Sequence, residues 1–283
     1  MRIGAAMFFT DYSMAPGELA RALEERGFDS LWAPEHSHIP VQGASAFPSG
    51  GAIPKKYFDA MDPFVMLTAA AVATTRLLVG TGVCLVPQRD PIQTAKLVAS
   101  LDRLSEGRFL FGVGNGWNEG EMANHGTAFT SRHKLARERI QAMKVIWTQS
   151  KAEYHGEMVS FDAIMAWPKP VQTPHPPILV GAAFPYGPRR ALRYGDGWMP
   201  HRVRPAYADV AELMPQYRAM VEEAGRDPAS LPVTIWGARE DMAMLERDRG
   251  LGVARVVVSL DSATAEVILP ELDRWAEIIR RLG

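Results

Sequence analysis

The segment WAPEHSH places one carboxylate and two imidazoles close together, at Glu35, His36 and His38. An imidazole exchanges a proton near neutral pH, so His36 is a candidate proton donor or acceptor with Glu35 beside it. The H-x-H spacing also suits a metal hydrolase, which needs further ligands. His201 and Asp261 would supply part of that set, but the run at 177–182 brings no histidine and no nearby lysine. A second group is glycine: GVGNGWNE has Gly112, Gly114 and Gly116 behind an apolar run. The spacing is G-x-G-x-G, and NEGEMANHG does not open a long apolar helix, so a dinucleotide phosphate loop is a poor match. Bare backbone there would make a flat wall for a planar ring; close packing inside a barrel explains the glycines nearly as well. A third group is VGAAFPYGPRRA, where Gly181, Ala182 and Ala183 precede a helix start with Arg189 and Arg190 one turn in. Small residues and a helix N-terminus suit a phosphate. A tight strand-to-helix turn with surface arginines accounts for the same residues equally well.

These groups act together only if the fold collects them. Eight short apolar runs read as strands: 3–8, 29–34, 77–86, 108–114, 177–182, 196–201, 232–237 and 254–260. They are continuous rather than alternating, as strands buried on both faces should be. Helical patterns lie between them. Asp62–Pro63 and Asp90–Pro91 each set an N-cap before a proline at the first helical position. After the second, Leu97, Leu101 and Leu104 are predicted on the buried face, with Gly107 as the stop. The helix predicted as longest, over 131–149, buries Ala136, Ile140, Met143 and Trp147. The final helix, with Leu272, Trp275, Ile279 and Leu282 inward, follows a break or kink at Pro270. This alternation predicts a (β/α)8 TIM barrel in one domain over residues 1–283. A doubly wound open sheet is the alternative, since alternation does not show closure. In a barrel all three chemical groups fall at the C-terminal mouth. The long aperiodic segment 34–61 belongs there too, as a functional loop. Residues 151–176 fall toward the other end, with EYHGEMVSF predicted as a small covering hairpin.

The chain has 283 residues, 47% of them hydrophobic, enough for a sizeable core. Acidic and basic residues number 32 and 31 and form no basic stripe, which speaks against a nucleic-acid surface. A single cysteine, Cys84, excludes an internal disulfide or a cysteine zinc cluster and reads as a small buried residue in a reducing compartment. The opening MRIGAAMFFTD fits a core strand better than a signal peptide, and no window is long and uncharged enough to span a membrane. A soluble, cytoplasmic protein is expected.

Several separate stretches share a family likeness. GFDSLWAPEH, GTGVCLVPQRDPIQTAKLVASLDRLSEGRFLFGVGNGW, TSRHKLARERIQAMKVIW and PILVGAAFPYGPRRALRYGDGW occur in the order and spacing of the luciferase-like monooxygenase superfamily. The chain resembles most closely its oxidoreductases that use the deazaflavin coenzyme F420, over most of its length up to about residue 200. The resemblance implies a hydride-transferring enzyme acting on a small organic substrate, with FMN as the alternative coenzyme. It implies a non-proline cis peptide at Gly82–Val83 beside Thr81, supporting the ring, with Gly114 and Asn115 at the strand-four wall. It puts the coenzyme phosphate at Gly181, Ala182, Ala183 and Phe184, and His36 next to the reactive ring carbon. Some relatives carry a glutamate proton donor where this chain has Asn115, whose amide can orient a ligand but is no general acid. Glu35 and Glu119 are the carboxylates left to replace it, and the sugar-phosphate chemistry of those relatives is not carried over. Lys55, Lys56, Arg202 and Arg204 near the mouth would steer a polyanionic coenzyme tail, unless they are solvated surface charges. Arg132 matches a family arginine, with helix-end packing as its simpler role. Homodimers are common in the family. A metal-dependent hydrolase and a noncatalytic flavin carrier are the rival readings; no metal is expected under the favoured one.

Overall fold

Runs that are apolar on both faces become parallel strands, since only a sheet covered from two sides buries them. The computed structural model describes residues 1–202 and 209–283. Its strands are β1 (Arg2–Ala6), β2 (Ser30–Ala33), β3 (Leu78–Thr81), β4 (Cys84–Leu85), β5 (Phe109–Gly114), β6 (Ala152–His155), β7 (Ser160–Ile164), β8 (Ile178–Val180), β9 (Gly197–Trp198), β10 (Thr234–Trp236) and β11 (Arg255–Ser259). The α-helices are α1 (Pro16–Glu25), α2 (Pro63–Val72), α3 (Pro91–Leu104), α4 (Glu119–Asn124), α5 (Arg132–Thr148), α6 (Tyr186–Tyr194), α7 (Val210–Glu223), α8 (Met242–Gly250) and α9 (Ala265–Leu282).

The main sheet runs β10-β11-β1-β2-β3-β5-β8-β9, with β4 continuing beside β5. Parallel bridges Trp198–Val233 and His201–Trp236 join its two ends. Trp198 N donates to Pro232 O at 3.0 Å and Trp236 N to Pro200 O at 2.9 Å. The sheet therefore closes into a (β/α)8 barrel, which decides against the open sheet. Inside it lie Ala6, Trp32, Leu110, Leu179, Met199 and Trp236. Trp32 is accommodated by glycine: a Cβ on Gly80 would stand 2.6 Å from its ring. Its indole N–H donates to Ser30 Oγ at 2.9 Å, so the buried donor is satisfied. The larger core fills the space between strands and helices and includes Leu19, Leu67, Ile140, Met143 and Trp147.

Local signals explain most boundaries. Asp62 accepts from Phe64 N and Val65 N, and Asp90 from Gln93 N, so both predicted caps form. The hairpin of β6 and β7 forms as well, and Glu138 of α5 holds it by accepting from Met158 N and Val159 N. The run 77–86 divides at a cis peptide, Gly82–Val83. Other expectations need correction. In α3 the buried face carries Ala95, Val98, Ala99 and Leu101, whereas Leu97 and Leu104 are 38% and 55% exposed. Asp102 turns that face inward by accepting from Val171 N and Gln172 Nε2. Helix α9 continues through Pro270 and, at 18 residues, is longer than α5. Within it Ile278 is buried and Ile279 only partly so. Among the described residues no helix is long and apolar enough to cross a membrane.

Candidate active site

The C-terminal strand ends open on a cavity of about 270 Å³. Its floor is built around one side chain. A Cβ on Gly181 would come 2.8 Å from Val83 Cγ1, and one on Gly114 would collide with Val83 Cγ2. Two bare positions thus seat Val83, and the three together leave a low surface. Gly116, at φ +70°, turns the chain out of β5 in a conformation that favours glycine. Gly112 has another role: a Cβ there would strike the Thr81 carbonyl, so it serves interior packing and not the cavity wall. Thr81 is likewise fully buried, its hydroxyl donating to Gly112 O at 2.7 Å, and it backs the wall without lining it. Gly82, Gly114 and Asn115 do line the cavity. The Asn115 amide nitrogen lies 2.6 Å from His133 Nδ1.

His36 lines one side and is buried, at 8% exposure. Its Nδ1 stands 2.8 Å from Oε2 of the fully buried Glu121, leaving Nε2 as the nitrogen that can meet a ligand. Glu121 Oε1 accepts from Ser37 N at 3.0 Å. Burial pushes the Glu121 carboxyl up, but the hydrogen bond and charge of His36 and the Ser37 N–H outweigh it. The net effect holds the carboxyl below its ordinary range. Around this pair stand aromatic rings: Tyr57 at 5.1 Å and Trp117 at 5.6 Å from the imidazole, with Phe47 at 5.2 Å and Phe8 at 4.6 Å from Tyr57. Phe47 and Tyr57 come from segment 34–61, which is pinned to α4. Ser45 N donates to Asn118 Oδ1 at 3.3 Å, and Glu119 N donates to Ser45 Oγ at 2.9 Å.

Glu35 also borders the cavity, but both its oxygens are engaged: Oε2 accepts from Leu85 N at 2.6 Å and Oε1 from Arg89 Nε at 2.5 Å. It fastens β4 and is not poised to give up a proton. Glu119 is exposed at the start of α4. His38 meets Ser37 Oγ and Asn124 Nδ2, each at 2.9 Å, while the exposed Asp261 pairs with Lys56 at 3.5 Å. Among the described residues no three histidine, cysteine or carboxylate groups come together to hold a metal.

The opposite end is cationic. Gly181 and Ala182 line the cavity; the Ala183 carbonyl accepts from Gly187 N, and Phe184 packs on Trp198 at 6.2 Å. The first turn of α6 has no side-chain cap. Arg190 stands between this cavity and an adjoining one of about 420 Å³, lined also by His133, Lys134, Arg137, Arg189 and Arg193. Among the described residues none of these four arginines joins an ion pair, whereas Lys134 pairs with Glu157. Burial, then the charges of Arg190 and Arg132, push His133 down to about 4. The cations predicted to steer an anion are otherwise occupied: Lys55 with Asp59, Lys56 with Asp261, and Arg202 with the buried Asp248 at 2.6 Å. Arg204 lies outside the described residues. Arg132 stacks on Phe129 at 3.6 Å, a packing role. Cys84 is buried, and burial pushes its thiol well up.

Sequence reasoning missed Glu121, Tyr57, Trp117, Arg137 and Arg193. One signal pointed to Glu121: it sits three residues after the N-cap Asn118, where a helix start favours a glutamate.

Residues 15–239 match the family described as luciferase-like monooxygenase, so the chain belongs to that family. An uncharacterized protein of Mycobacterium tuberculosis is 37% identical over 284 residues, 98% of either chain. An F420-dependent hydroxymycolic acid dehydrogenase of the same organism is 30% identical over 215 residues, 75% of this chain and 55% of that one. Among solved structures, a monooxygenase from Streptomyces bottropensis shares the fold over the full length of both chains, with a TM-score of 0.81 at 20% identity.

Proposed function

We propose that this chain is an oxidoreductase that moves a hydride between the deazaflavin coenzyme F420 and an uncharged, apolar alcohol or ketone, within a single domain spanning residues 1–283. The observation that carries this reading is a bare-floored cavity that shares Arg190 and His133 with an adjoining one, whose four arginines lack partner carboxylates among the described residues. Val83, Gly114 and Gly181 fit a flat ring, since any larger side chain at the two glycines would run into Val83. Ala182, the uncapped start of α6 and Arg190 fit a phosphate. Arg137, Arg189 and Arg193 fit further anionic groups of a tail. The bound coenzyme supplies the ring carbon that takes or gives a hydride.

The residues of the chain do the rest. His36 Nε2 takes the hydroxyl proton of an alcohol, or returns it to a carbonyl oxygen. Glu121 fixes the ring orientation of His36. Phe8, Tyr57 and Trp117 exclude water and favour an uncharged group. Asn115, held to His133, offers hydrogen bonds but no proton. The similarity to an F420-dependent dehydrogenase supports the coenzyme and the reaction type. FMN with oxygen activation is the second reading, favoured by the family description and by the monooxygenase of like fold. FMN carries one phosphate, however, and would leave Arg137 and Arg193 without an anion. Fluorescence titration of the purified protein with each coenzyme tests the choice. F420 is expected to bind at least about tenfold tighter at low salt, with the advantage shrinking as salt rises; equal or tighter FMN binding would reverse the assignment.

A further inference from the structure

A second cavity lies outside the mouth, separated from the His36–Glu121 pair by Ser37. A cavity of about 340 Å³ is lined by Ser37, Gln88, Arg89 and His125 and shares only Glu35 with the main site. Hydrogen bonds run between the two cavities. His36 Nδ1 meets Glu121 Oε2 at 2.8 Å, Ser37 Oγ donates to Glu121 Oε1 at 3.4 Å, and Ser37 Oγ lies 2.7 Å from His125 Nε2. His38 Nδ1 approaches the same hydroxyl at 2.9 Å. Glu121 is fully buried, whereas Ser37 and His125 are exposed.

We propose that Glu121, Ser37 and His125 form a proton relay that discharges the protonated His36 imidazole through this side cavity while the mouth is filled. The inference rests on the reading of His36 as the proton-exchanging group. Oxidation of an alcohol separates into a hydride, which carries both electrons to the coenzyme ring carbon, and a proton, which leaves the hydroxyl oxygen for His36 Nε2. The imidazole then gives its Nδ1 proton to Glu121. Glu121 gives a proton to Ser37 Oγ as the Ser37 hydroxyl proton moves to His125 Nε2 and thence to water, leaving His36 neutral with its remaining proton on Nε2. That proton leaves to water when the mouth empties while the relay returns one to Nδ1, and reduction of a ketone runs the same path inward. Direct exchange through the mouth is obstructed: His36 is already buried by Tyr57 and Trp117, and bound ligands cover it further. A purely orienting role for Glu121 is met by His36 and the Ser37 N–H. It leaves unexplained why one hydroxyl joins the buried carboxylate to two outer imidazoles. The groups facing His125 are His38, Glu121, Glu35 and Arg89; burial, then His38, hold it below its ordinary 6.5, so at neutral pH the ring is uncharged and passes on to water any proton it receives.

The test follows the His36 Nδ1 proton by NMR in protein labelled with ¹⁵N-histidine, first alone and then saturated with coenzyme F420. Ser37→Ala and His125→Phe are expected to slow exchange of that proton with water by at least about tenfold, and Ser37→Thr to restore it. Ser37 and His125 are exposed, and thermal melting checks that each variant folds. Unchanged exchange in Ser37→Ala overturns the relay; equal slowing in Ser37→Thr overturns it too, by showing a packing effect. The measurement on the protein alone needs neither coenzyme binding nor turnover. Failure of the hydride-transfer reading would therefore show as absent redox activity, and failure of the relay as unaltered exchange.

Discussion

The two ends of the mouth bind by opposite physics. At the α6 end four arginines stand, among the described residues, without partner carboxylates beside a helix start, so attraction there is electrostatic, reaches several ångströms and weakens with salt. At the His36 end the polar groups already engage one another, Glu121 with His36 and Glu35 with Arg89, and the remaining surface is aromatic. Attraction there is contact packing, short in range and indifferent to salt. Under the proposed function, this contrast separates capture of an anionic coenzyme from selection of a neutral substrate. Among the described residues the first end keeps four arginines without carboxylate partners, whereas the second pairs Glu121 with His36 and Glu35 with Arg89.

Mutations at each end should therefore fail in different ways. His36→Ala should reduce turnover by about 10² to 10⁴-fold while changing the coenzyme dissociation constant by less than about threefold. Steady-state kinetics beside fluorescence titration checks this, and undiminished turnover would remove His36 from the chemistry. Arg190→Glu should weaken coenzyme binding by about 10 to 100-fold at low salt, with turnover at saturating coenzyme nearly kept. A loss that persisted undiminished in high salt would mean the contact is not electrostatic. Trp117→Ala should raise KM for an apolar substrate by about tenfold, corresponding to about 1–2 kcal/mol of lost packing, and leave coenzyme affinity alone. The smallest effect concerns pH. The folded protein holds His133 neutral down to about 4, against its ordinary 6.5 in the unfolded chain. The unfolded state binds more protons between those values, so this group makes stability rise with pH across that window and level off above it. Chemical denaturation of His133→Gln at a series of pH values should show a shallower acid limb than the parent.

The same contrast sorts what was legible in the sequence. Local rules set most of the framework: Asp62 and Asp90 before prolines became caps, and continuous apolar runs became parallel strands. The glycines of strand four were read as one wall, yet Gly112 lies against the Thr81 carbonyl and Met199 while Gly114 and Gly116 line the cavity, because all three share a face and only the last two stand at the strand end where the cavity opens. Glu121 escaped because its partner lies 85 residues earlier, a distance no local pattern spans. The cationic annex escaped for a similar reason. It forms where the exposed faces of α5 and α6 meet, and each arginine alone reads as ordinary surface charge. Leu97 and Leu104 misled because helical spacing fixes which residues share a face, but a buried Asp102 decides which face turns inward.

Positions 83, 114 and 181 behave as one three-part lock. Each glycine has ceded its volume to the same valine, so no member can grow by a single carbon unless another is trimmed. Descendants of this chain that remodel this cavity floor must alter these sites in concert, and a stepwise route through a bulkier residue at 114 or 181 meets Val83 unless 83 shrinks first.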